Sequence, residues 1–162
     1  PGFKQQGKIY KQIFFLLHKY LVKKGELFLS KSKNAAATLI DSTTYKFGFK
    51  GKKGLSLKLS KYSYNILTHR ETVQKIAEII LPNQVNRRIM TVYASPQANK
   101  EDVADLIAQC KEKAEKENFV ILYETLSKRL VPEFEKSGFE CVYAKQFIGT
   151  RFFQTVMAYN IE

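Results

Sequence analysis

The residues of this chain whose types and spacing could do chemistry are few. Pro96 and Asn99 precede a helical pattern at about 100–117, with a strand-like segment on either side. The N-terminus of such a helix lies beside the C-terminal ends of both strands, where its amides and dipole can hold a phosphate. Elsewhere Tyr45, Phe47 and Phe49 alternate among lysines. That pattern suits a stacking platform for single-stranded nucleic acid, or the inner face of a half-buried hairpin extension. Gly48, Gly51 and Gly54 make no phosphate loop, because no Gly-Lys-Ser/Thr ending follows in register. His18, His69, Cys110 and Cys141 are too dispersed for a metal-ligand spacing. Cys110 lies on an apolar helix face and reads as a core thiol. His18 sits inside an amphipathic helix, and His69 reads as an exposed polar residue at a helix start.

The elements that must position these groups follow from periodicity. Ile9, Tyr10, Ile13, Phe14, Leu16, Leu17, Tyr20 and Leu21 form a helical stripe over 6–23, and Gly25 stops it. Glu26–Lys31 and Ala35–Asp41 read as strands of a hairpin turning at Ser32-Lys33-Asn34. Residues 43–58 form a basic, glycine-rich connection. Residues 55–67 match both periods and are read as helix. Thr68 and Glu71 have capping-box spacing before a helix that Pro82 ends. Strand is expected at Arg88–Ala94, helix at Lys100–Glu117 and strand at Phe119–Tyr123. A short helix is expected at Ser127–Ser137, with Pro132 inside it. Two strands follow, Phe139–Ala144 and Phe152–Asn160, antiparallel across Ile148-Gly149-Thr150.

Composition sets the outer limits. The 162 residues suffice for one domain, and 44% hydrophobic with 13% aromatic content excludes a disordered chain. The net charge of +12 is uneven: residues 1–92 carry 18 Lys/Arg against 4 Asp/Glu, and the remaining residues carry 9 against 11. An anion-attracting surface therefore belongs to the first part. Two unpaired cysteines, no long apolar run and no leader pattern lead to the expectation of a cytoplasmic, reduced chain without a membrane partner.

A pattern more specific than periodicity runs through the second part. Tyr123-Glu124-Thr125 ends a strand, Pro132 follows, and Lys136, Gly138 and Phe139 close the unit. Upstream, Ala94-Ser95-Pro96 leads to Asn99, Asp102 and Ala104. These spacings resemble the GNAT superfamily of acyl-CoA-dependent N-acetyltransferases, firmly over 88–160 and more loosely over 1–42. Residues 43–85 correspond to a variable helical insertion, and the family's first strand would precede Pro1. The fold that the resemblance implies is a single α/β domain. Its sheet is mixed and mostly antiparallel, contains one splayed parallel strand pair, and is flanked by helices.

The resemblance also implies a chemistry. The pantetheine arm of acetyl-CoA, or another acyl-CoA, would pair with the strand edge at Val92, Tyr93 and Ala94. An amide there would polarise the thioester carbonyl. The pyrophosphate would lie on Asn99, Lys100, Glu101, Asp102, Val103 and Ala104. Leu130 and Phe134 would face the cofactor from the short helix. A primary amine would attack directly, with no metal and no protein nucleophile. Glu124 is the candidate base for the incoming ammonium, and Tyr123 or Tyr143 the candidate acid for the departing thiolate.

Three positions depart from the pattern. The family's glycine is Asp102, and a carboxylate about 4 Å from a phosphate costs roughly 4 kcal/mol at an effective dielectric of 20. An acidic first turn instead stabilises an empty helix through its dipole. The family's tyrosine is Phe134, which has no proton to give; losing a general acid typically costs about 10²–10⁴-fold. The family's asparagine is Leu130. An N-acyltransferase acting on an unidentified amine, as monomer or homodimer, is the leading expectation. A GNAT-like binding module without turnover is the second, and a basic nucleic-acid-binding domain the third.

Overall fold

The computed structural model describes residues 21–43, 86–125, 128–146 and 153–161, together with Lys19 and Glu78. The helix expected at 6–23 lies outside the described residues except at its end, where 21–24 are helical. The insertion expected at 43–85 lies outside them as well, apart from Thr43 and Glu78.

Alternating strand patterns and one long amphipathic helix build the rest. In chain order the strands and helices are β1 (Glu26–Leu29), β2 (Ala35–Asp41), β3 (Arg87–Ala94), α1 (Lys100–Glu117) and β4 (Val120–Thr125). They continue with α2 (Val131–Lys136), β5 (Glu140–Gln146) and β6 (Phe153–Tyr159). The six strands form one sheet in the order β1-β2-β3-β4-β6-β5. Among the described strands only β3 and β4 are parallel; every other neighbouring pair is antiparallel. Parallel neighbours need a crossover, and α1 supplies it.

α1 buries Val103, Leu106, Ile107, Cys110 and Ala114 on one face of the sheet, against Leu39, Met90, Ile121, Tyr123 and Met157. Each fully buried large apolar side chain of this kind contributes about 1.5–3 kcal/mol. The other face gathers Ile40, Ile89, Leu122, Val156 and Ala158 beneath Leu21. Gly25 is there for a reason of space: a Cβ on it would lie 2.5 Å from the carbonyl oxygen of Leu39. Asn118, left-handed at φ 50°, closes α1 by donating its amide to the Ala114 carbonyl.

Polar contacts tie α1 to both sides of the sheet. Toward the hairpin, the Lys31 amide donates to the Asp105 carboxylate (2.9 Å) and Gln109 donates to the Leu29 carbonyl (3.1 Å). Arg88 bridges Glu26 and Glu117 at 2.9 and 2.8 Å. Toward the opposite side, Lys111 donates to the Ser137 carbonyl (2.7 Å), Lys100 pairs with Glu133 (3.4 Å), and Tyr159 donates to Glu115.

The expected helix at 127–137 is shorter than the sequence suggested. Helix begins at Val131, which places Pro132 in the first turn. Proline lacks the amide that an interior position would need, and the first turn does not need it. Among the described residues no helix is long and apolar enough to cross a membrane.

Candidate functional site

The sheet opens where its two parallel strands part. The ladder pairs Arg87 with Val120, Arg88 with Ile121, Ile89 with Leu122 and Met90 with Tyr123, and ends there. Beyond that rung β3 runs on through Thr91–Ala94 with β2 as its partner, Ala94 facing Ala35. β4 runs on through Glu124 and Thr125 with β6 as its partner, opposite Val156 and Thr155. The two strands therefore fork, and Val92, Tyr93 and Ala94 lie along one prong. Val92 packs toward the α1 face and Tyr93 toward the other, where its phenol lies 3.5 Å from Thr38 Oγ1. Ala94 is exposed.

Tyr123 and Glu124 stand on the other prong and, being adjacent in a strand, project from opposite faces. Tyr123 belongs to the core beside α1. Burial raises its phenol pKa and the neighbouring Glu124 charge adds to that, while a hydrogen bond with Thr125 acts against both. The phenol is thus a protonated donor at neutral pH. Glu124 is half-buried and accepts from Gln154 Nε2 at 3.3 Å. Gln154 is itself buried on the Val156 face of β6. Tyr143 is half-buried on that same face, opposite Val156.

The start of α1 faces the same end of the sheet. Asn99 caps it: Asn99 Oδ1 accepts from the Asp102 amide (2.9 Å), and Asp102 Oδ2 accepts from the Asn99 amide (3.0 Å). This reciprocal capping box uses two of the amides that open the helix. The second Asp102 oxygen accepts from the Ser32 hydroxyl at the hairpin turn. The Asp102 side chain is consequently buried, and its carboxyl titrates below the ordinary carboxylate range. The Ser32 hydrogen bond is the main cause and the Asn99 amide the next, while desolvation opposes them. Asn99, Lys100, Glu101 and Ala104 are exposed, whereas Val103 is buried in the core. The Lys100 ammonium lies toward Glu133.

Leu130 and Phe134 occupy α2 and its entry. Leu130 is partly buried at the N-cap position and makes no side-chain cap. Phe134 is fully buried, its ring parallel to that of Tyr123 with centroids 3.8 Å apart. Among the described residues no three His, Cys, Asp or Glu side chains gather in a group able to hold a metal.

Sequence reasoning missed Ser32, Gln154 and Thr38. The Asn99-to-Asp102 spacing is a capping signal in its own right. Nothing local marks Ser32, which lies 70 positions from Asp102.

No family model matches the sequence, and no curated protein does. Solved structures do match the fold. An agmatine N-acetyltransferase variant (S171A, apo form) superposes with a TM-score of 0.63 at 11% identity, over 88% of this chain and 80% of its own. The C-terminal condensation domain of Ebony, in complex with beta-alanyl-dopamine, gives 0.59 at 11%, over 94% and 80%. The Drosophila melanogaster polyamine N-acetyltransferase gives 0.54 at 7%, over 77% and 68%. The chain has the fold of the GNAT N-acetyltransferases: a mixed sheet with one parallel, splayed pair, antiparallel elsewhere and flanked by helices.

Proposed function

We propose that this protein is an N-acyltransferase that moves an acyl group from a pantetheine thioester, acyl-CoA in the simplest case, to a primary amine. The observation that carries the reading is the fork, where the parallel ladder ends at Met90 and Tyr123 and leaves the β3 edge at Val92–Ala94 without a β4 partner. An extended pantetheine arm, with its two amides, suits such an edge as an added strand does.

In this reading the amine nitrogen attacks the thioester carbonyl while an amide of the Val92–Ala94 segment takes up the developing oxyanion charge. The carbon–sulfur bond then breaks, and the thiolate takes a proton from the Tyr123 phenol or from water. Glu124, from the other face, accepts the proton that the ammonium must lose before attack. The agmatine and polyamine enzymes of this fold support an amine acceptor. The excess of 14 positive charges over residues 1–92 favours an acceptor or partner that bears negative charge.

The test is release of free thiol from acetyl-CoA with a panel of amines, run beside thermal shift at millimolar acetyl-CoA. Thiol release dependent on amine, falling about 10²-fold or more in Glu124→Gln, supports the assignment. Absence of both release and stabilisation rejects it in favour of a binding module that does not turn over.

A further inference from the structure

The opening turn of α1 is where a diphosphate would bind, and the chain has filled it with its own carboxylate. Asp102 takes the Asn99 amide, Asn99 takes the Asp102 amide, and Ser32 holds the remaining Asp102 oxygen from the hairpin turn. Lys100, the cation closest in sequence, pairs with Glu133. Glu101 adds a second negative charge to the same turn. An incoming diphosphate would meet like charge and two amides already taken by the cap. The strand edge at Val92–Ala94 depends on none of these contacts.

We infer that the donor is recognised through its acyl-pantetheine arm alone, and that Asp102 sets this selectivity by excluding a diphosphate from the start of α1. The inference rests on the acyl-transfer reading and narrows its donor. A thioester carried on pantetheine serves whether or not a nucleotide follows. Binding energy comes from the extended arm along β3, and the adenosine diphosphate portion of coenzyme A contributes little. A carboxylate held by the helix cap alone could swing aside for a phosphate. One that is also locked by Ser32 must be expelled from a buried position first.

The experiment compares kcat/KM for acetyl-CoA and S-acetylpantetheine with a common amine, and adds adenosine 3′,5′-bisphosphate as competitor. The expected result is a ratio within about threefold of unity and no competition at millimolar nucleotide. Asp102→Asn, which keeps one acceptor for the Asn99 amide, turns the other position into a donor toward Ser32 and removes the charge, shifts the ratio toward acetyl-CoA by about tenfold. Asp102→Gly, which empties the turn, shifts it further. A preference for acetyl-CoA of about tenfold or more in the unaltered protein, or competition by the nucleotide, overturns the inference and leaves acyl transfer standing. An unmoved ratio in Asp102→Asn overturns Asp102 as its cause. Absence of transfer from either donor overturns both readings together.

Discussion

The ring of Phe134 lies flat on the ring of Tyr123, with centroids 3.8 Å apart and planes 2° from parallel. Phe134 also meets Phe139 edge-on at 4.9 Å. Phe134 is thus the middle of an aromatic stack that seats Tyr123, the last residue of β4 paired with β3. Phe134→Ala removes a fully buried ring, and the lost transfer energy plus the cavity should destabilise the protein by about 3–5 kcal/mol. Phe134→Leu keeps part of the apolar contact and should cost less. Urea unfolding of the two variants measures this, and equal stabilities would show that the apolar volume kept by leucine contributes nothing at this position.

Asp102 has a lowered carboxyl pKa in the folded state, through Ser32 and the Asn99 amide. Its unfolded value is the ordinary one, so its contribution is complete above the ordinary carboxylate range and disappears as pH falls through the lower folded value. Asp102→Asn cannot lose what it lacks. The gap in urea midpoint between the two proteins should therefore stay level from pH 6 to about pH 5 and narrow as the pH falls on toward 3. A gap constant over that range would mean that the cap does not use the charge.

The two cysteines should behave as opposites. Cys110 is buried and, chiefly through that burial and secondarily through the Glu26 charge, its pKa is pushed up to about 12. At pH 8 its thiolate fraction is then about 10⁻⁴. Cys141 is exposed on β5. A thiol reagent at pH 8 should label one cysteine promptly and the other only after denaturation. Prompt labelling of both would contradict the packing of α1.

Gly25 gives a test of close approach. Gly25→Ala drives a methyl group to 2.5 Å from a backbone oxygen of β2 and 3.0 Å from that of Leu21, neither of which can rotate away. The expected loss is about 1–3 kcal/mol, the usual range for overpacking. Thermal unfolding reads it directly, and an unchanged midpoint would mean that β1 and the preceding turn shift freely.

Much of this architecture was legible because local signals and long-range packing agree. The stripe Val103, Leu106, Ile107, Cys110 and Ala114 marks α1 with its full length, since the same residues that make the pattern make the core. Ser32-Lys33-Asn34 marks the hairpin turn, where Lys33 adopts φ 61°. Pro132 misled because it reads as a helix interior when the start of the helix is placed too early. The fork followed from the resemblance and not from periodicity, because a strand that loses one neighbour keeps its alternation. The fate of Asp102 was half legible. Its charge and position predict an occupied helix end, whereas its bond to Ser32 depends on how the hairpin lies against α1, which no short window of sequence contains.

The ties from α1 to both sides of the sheet have a mechanical consequence. β1, β2 and β3 form one leaf, and β4, β6 and β5 another; four residue pairs of parallel ladder are the spine between them. A sheet so weakly joined at one end would gape, yet one helix reaches over the gap and grips both leaves. The helix acts as the clasp of a half-open book. Among the described elements, the slot between the prongs widens by flexing that short spine or by slipping one side of the clasp, so its width is a property of α1 as much as of the strands that line it.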